Sequence, residues 1–278
     1  MAANSHDASY DRMPVVAGQF YPGIPDILIQ ELRACLANAD GKAEAPTLLA
    51  MAPHAGWVYS GAVAGATIGR ANLAPTVILL GPNHTGMGKP LAVWPRGRWL
   101  FPGGWLNVDE ELAALLLERE PLFQDDRAAH LREHSLEVLV PFLAAVNPAM
   151  TIVPIAVSQP DAETLLAVGK TVGRLLRAFE RPVSLVVSSD MSHFVSHDEA
   201  QELDGRALDP ALALNPALFH QTVRQGGISM CGVLPMTLAL AAAIELGAQH
   251  SEITGYATSG EVNGDYSRVV GYAGMLAS

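Results

Sequence analysis

Apolar positions along the chain fall into two rhythms. Continuous apolar runs of strand length stand at 47–52, 77–80, 151–157 and 185–188. They lack the polar alternation of a half-exposed strand, so they predict strands buried on both faces of a parallel sheet. Between them the apolar positions return every three to four residues, the period of a helix with one buried face. The first such segment opens at Pro25 and carries Ile27, Leu28, Leu32, Cys35 and Leu36 on one face. Further helices are expected at 61–73, 108–118, 133–146, 162–179, 198–214, 216–225 and 233–246, the last stopped by Gly247. VVAGQFYPG at 15–23 reads as a strand leading into a turn, and two closing strands are expected at 253–258 and 268–276.

The alternation of strand and helix predicts one α/β domain over 14–278, a central, mostly parallel or mixed sheet flanked by helices. Two stretches break the rhythm. The first thirteen residues, MAANSHDASYDRM, are polar and lack the basic-then-apolar order of a signal peptide, so they read as a disordered tail. Residues 86–107 mix three tryptophans and a phenylalanine with glycines and prolines. That composition suits either an irregular flap over a pocket or a hairpin pinned by its own aromatics.

Charge and cysteine content narrow the partners. The 28 acidic residues outnumber 17 basic ones, for a formal net charge of −11, and the acidic positions are scattered. Without a basic stripe a nucleic-acid partner is not expected. The most apolar segment, 233–244, contains Pro235 and Thr237 and is shorter than the roughly 20 residues that cross a bilayer, so no membrane partner is expected either. Two cysteines, Cys35 and Cys231, make no disulfide framework, and the expected compartment is the cytoplasm.

The candidate chemistry lies at strand ends. AMAPHAG, GPNHTG and SSDMSH each deliver a histidine at or just beyond the end of an apolar run: His54, His84 and His193. In open α/β sheets ligands collect outside the carboxyl ends of the strands, and imidazole is the commonest metal ligand. His54 and His84, in matching Pro/Gly turns, are therefore candidate ligands of one metal. Asp190, His193, Glu137 and Cys231 stand as candidates for a third ligand. Cys231 precedes a helix, where a thiolate is favoured, but equally reads as a small buried residue. Asp190 lies three residues before His193, where it would orient the imidazole for proton transfer if a helical turn follows, or else cap helix amides. EHSLEVLVP places His134 and Glu137 on one helical face, as pocket-lining residues or an internal hydrogen-bonded pair.

AGQFYPG, APHAGWVYSG, LLGPNHTG, EHSLEVLVPFL, VVSSDMSHF and MCGVLP, in this order, resemble the Memo family. Its bacterial members are called protein B of AmmeMemoRadiSam systems. The resemblance runs from Val15 to the carboxyl terminus. It implies a fold similar to class III extradiol dioxygenases, which hold non-haem Fe(II) with two histidines and a carboxylate. It further implies His54, His84 and Cys231 as metal ligands, the cysteine replacing the carboxylate, with His193 as acid/base and Asp190 in the same motif. The expected metal is iron, with copper or zinc also suited to a thiolate-containing site. The expected activity is oxygenase-type redox chemistry on a small-molecule or peptide ligand in the strand-end pocket, and other AmmeMemoRadiSam components are candidate partners. A non-catalytic metal- or peptide-binding module and a Cys231-dependent hydrolase are the alternatives. Eukaryotic relatives carry a histidine where this chain has Thr85, and a basic-His pair where it has Val233 and Leu234.

Overall fold

A computed structural model describes residues 8–278. In chain order the elements are α1 (Pro25–Leu36), β1 (Leu49–Ala52), α2 (Trp57–Arg70), β2 (Thr76–Pro82), β3 (Leu91–Val93), β4 (Arg98–Phe101), β5 (Gly104–Val108), α3 (Glu110–Arg119) and β6 (Gln124–Asp125). There follow α4 (Val140–Val146), β7 (Thr151–Val157), α5 (Ala162–Ala178), β8 (Val183–Ser188), β9 (His193–Val195), α6 (His197–Leu212), α7 (Pro216–Gln225), α8 (Val233–Leu246), β10 (Ser251–Thr258), α9 (Gly260–Asn263) and β11 (Val269–Ala277). Helix starts are marked by side chains that bind the first free amides: Asp109, Asp161, Ser196 and Asn215 each accept from a backbone N–H three residues on. Gly247 ends α8 in the left-handed conformation, at φ 107°.

The sheet runs β10-β11-β1-β8-β2-β7-β3-β6. Its centre, β1-β8-β2-β7, is parallel, while β11 and β3 join it antiparallel on either side. This is the expected α/β fold with a mixed sheet. Central strands alternate between two cores. Leu49, Met51, Ile78, Leu80, Leu185 and Val187 face α5 and α8, whereas Ala50, Ala52, Val77, Leu79 and Val186 face α1, α2 and α4. Both faces are covered, and for that reason the strands read as unbroken apolar runs. Among the described residues no helix is long and apolar enough to cross a membrane.

Three expectations are corrected, and one open alternative, at 86–107, is decided for the hairpin. Of the tail expected over 1–13, residues 1–7 lie outside the described part, and in the remainder Arg12 is buried, its guanidinium paired with Glu137 and set over Trp99. Residues 15–23 form a tight turn closed by a single bridge between Ala17 and Tyr21, not a strand. The helix expected from 133 begins only at Val140, after a 3-10 turn at Glu137–Leu139. Residues 86–107 form β3 and the β4–β5 hairpin. Trp94 and Trp99 are buried against His130 rather than arched over a pocket.

Candidate metal centre

β8 lies between β1 and β2, and all three are parallel, so their carboxyl ends open on one side of the sheet. The chain leaves β1 into His54, β2 into His84, and β8 into Ser189 and Asp190. Cys231 comes from the turn before α8. Gly232 lets that turn close on β8, because a Cβ there would stand 2.6 Å from the Ser189 side chain. His54, His84 and Cys231 thereby bring one ligand atom each to within 4.8 Å of one another. The His54 Nε2 to Cys231 Sγ distance is 3.4 Å.

Hydrogen bonds fix how the rings face. The Ser188 hydroxyl donates to the Ser135 carbonyl at 2.6 Å, so toward His54 Nδ1, also at 2.6 Å, its oxygen accepts. His54 is thus the Nδ1–H tautomer, and its Nε2 lone pair points to the cysteine side. His84 Nδ1 donates to Glu133 Oε1 at 2.9 Å, which makes Nε2 the lone-pair nitrogen of the neutral ring. Burial pushes His54 down to about 4, against the opposing pull of Asp190, so the ring is neutral at pH 7. Burial also opposes the charged forms of His84 and Glu133. Their mutual hydrogen bond outweighs it, raising His84 and bringing Glu133 down to about 2. Burial, then the Asp190 charge, push the Cys231 thiol up, so a thiolate here calls for a compensating cation. A neutral His54 nitrogen, a His84 nitrogen whose proton a cation would displace and a sulfur that a cation would ionise form a donor set that fits a transition metal.

The other expected residues take different places. Asp190 does not hold His193. Its Oδ1 accepts from the backbone N–H groups of His54 (2.8 Å) and Ala55 (3.2 Å), and its own N–H points to Cys231 Sγ at 3.2 Å. It ties the His54 turn to the cysteine turn because the chain runs from Asp190 into the extended strand β9, not a helical turn. His193 is held by Ser229 instead, its N–H on the hydroxyl at 2.7 Å and its Nδ1–H on the carbonyl at 2.9 Å. His134 joins the site, stacked on His84 at 4.9 Å between centroids and edge-on to His54 at 5.6 Å. Glu137 turns the other way, toward Arg12, the Tyr21 hydroxyl (2.8 Å) and the amides of Val15 and Val16. The pair separates because His134 precedes the helical turn that contains Glu137. Glu133 and Ser188 escaped sequence reasoning, although Glu133 opens the EHSLEVLVP motif and a carboxylate beside a histidine motif is the available signal.

Fold and site together define an α/β protein with a His–His–Cys cluster at the carboxyl ends of three adjacent parallel strands. The chain belongs to the Memo-like protein family, whose model matches residues 12–276. It is 37% identical to a MEMO1 family protein of Methanopyrus kandleri, over 96% of this chain and 98% of that one. MEMO1 family proteins of Methanosarcina barkeri and Aquifex aeolicus are each 38% identical, over 95% of this chain and 99% and 98% of theirs. A solved structure of an uncharacterized Escherichia coli K12 protein superposes with a TM-score of 0.46 at 16% identity, covering 72% of this chain and 86% of that one.

Proposed function

We propose that the protein is a metal-dependent redox protein whose centre is held by His54, His84 and Cys231, with iron as the first metal and copper or zinc as alternatives. The convergence of three donor atoms within 4.8 Å supports this, each ring already turned by a second hydrogen bond. When bound, iron or copper would supply open coordination positions and one-electron chemistry toward O2. The remaining roles belong to the chain. His54 and His84 present their Nε2 atoms, and Asp190 holds the His54 and Cys231 turns together. His134 walls the cluster. His193, with Nδ1–H on the Ser229 carbonyl, keeps Nε2 as a proton acceptor for a small-molecule or peptide ligand.

Anaerobically purified wild type is expected to carry metal that His54→Ala and Cys231→Ser lose; full occupancy in both variants would show the site to be elsewhere. With metal bound, O2 consumption in the presence of phenols separates an oxygenase from a binding module, which would consume none. The hydrolase alternative is disfavoured by the raised Cys231 thiol, and it requires a chelator-resistant activity that iodoacetamide abolishes.

A further inference from the structure

The turn at 133–135 reaches both histidine ligands. Glu133 is buried, and its carboxylate collects four donors: the His84 ring at 2.9 Å, the His84 backbone N–H, and the N–H groups of His134 and Ser135 at 2.9 Å each. Two residues on, the Ser135 carbonyl takes the Ser188 hydroxyl that faces His54, and the Ser135 hydroxyl donates to the Pro82 carbonyl at the end of β2 at 2.9 Å. The turn is fastened from behind by Arg12, whose guanidinium donates to the carbonyls of Glu133 and His130. A carboxylate left in such a place without donors would be costly. With four it is satisfied, and a neutral amide would not match it, since one of its two heavy atoms is itself a donor.

We propose that Glu133 is the positioning residue of the metal centre, fixing the tautomer, ring plane and donor strength of His84. This rests on the metal site proposed above. A carboxylate on Nδ1–H locks the imidazole and makes Nε2 a stronger donor, which a neutral hydroxyl does less well. The centre is therefore asymmetric: His84 is backed by a charge, His54 only by Ser188.

The test uses full-length protein titrated anaerobically with Co(II), whose visible spectrum reports its ligands. Glu133→Gln, close to isosteric, is expected to weaken Co(II) about 10- to 100-fold, the usual loss for an outer partner of a ligand. Ser188→Ala should weaken it less. Affinity for Glu133→Gln within twofold of wild type overturns the proposal. A second measurement needs no metal: the ring 15N shifts of His84. At a pH high enough to keep the ring neutral, wild type should show the Nδ1–H form, and Glu133→Ala a mixture containing Nε2–H; an unchanged tautomer overturns the proposal. If Glu133→Ala fails to fold by circular dichroism, Glu133→Asp replaces it. There the carboxylate is retained but withdrawn by one methylene, and the ring shifts should move part of the way. Should His54→Ala and Cys231→Ser keep Co(II), the metal site falls, while the His84 tautomer still decides what Glu133 does.

Discussion

Arg12→Met tests whether the amino-terminal segment is part of the domain. The substitution keeps most of the side-chain volume and removes the charge. In the structure both partners of the Arg12–Glu137 pair are 1% exposed, and the guanidinium also donates to the carbonyls of Met13 and His130, each at 3.2 Å, and to that of Glu133. Removing one partner of a buried pair costs about 3–5 kcal/mol, because the other charge stays buried and uncompensated. Glu137 keeps three neutral donors, Val15 N–H at 2.9 Å, Val16 N–H at 3.0 Å and the Tyr21 hydroxyl at 2.8 Å, which places the expected loss at the low end, about 3 kcal/mol. Urea unfolding should therefore show a lower midpoint at unchanged slope. Arg12→Met/Glu137→Gln should lose less than the sum of the single variants, a coupling on the order of 1–3 kcal/mol. As a control, the half-buried to exposed pair Arg70–Glu252 should be removable at a cost below about 1 kcal/mol. A loss below about 1 kcal/mol for Arg12→Met, the range of a surface pair, would refute the assignment of Arg12 to the core.

Acid should destabilise the metal-free protein early. His54 and His130 are each held down to about 4 by burial, against 6.5 when unexposed to that environment. Below 6.5 the unfolded chain takes up protons that the folded one refuses until about 4, so stability present above 6.5 is lost as pH falls, by about 1.4 kcal/mol per unit per histidine. His84, raised by Glu133, offsets part of this. A urea midpoint that does not fall between pH 7 and pH 5 would contradict it. Two glycine variants should move in opposite directions in thermal unfolding. A Cβ on Gly65 would stand 2.3 Å from the backbone of Cys35, where α2 meets α1, so Gly65→Ala should cost about 1–3 kcal/mol or more. Gly205 in α6 meets nothing within 4 Å, and Gly205→Ala should stabilise by about 0.5–1 kcal/mol.

The fold was legible wherever burial is local to an element. β7 was expected at 151–157 and occupies those residues, since a strand covered on both faces reads as a near-continuous apolar run. Arg12 and Glu133 were not legible for the opposite reason. Each is a charged residue whose burial depends on a distant partner: Arg12 meets Glu137 across 125 residues of chain, and Glu133 meets His84 across 49. Periodicity carries no information about such pairs, so Arg12 read as part of a polar tail and Glu133 as the start of a helix. The helix began late because the His134 and Ser135 amides and the Ser135 carbonyl are committed to side chains at the site. The amides of His134 and Ser135 bind the Glu133 carboxylate, and the Ser135 carbonyl binds Ser188.

The three strand-end histidines show how far a shared context reaches. All three follow buried strands, yet their second ring bonds differ in kind. His54 and His84 each give Nδ1–H to a side chain on a neighbouring segment, Ser188 or Glu133, and this turns Nε2 inward to a common point with Cys231. His193 gives Nδ1–H to a backbone carbonyl two residues before Cys231, within a strand that pairs with β11. A carbonyl can only accept, so His193 is as firmly set in its tautomer as the other two, but its place belongs to β9 and the Cys231 turn rather than to the ends of β1 and β2. Asp190, expected to serve His193, instead joins the His54 turn to Cys231. The residues that carry the site are thus sorted by the partner of each ring's second nitrogen, and a spacing of three along the chain did not predict that partner.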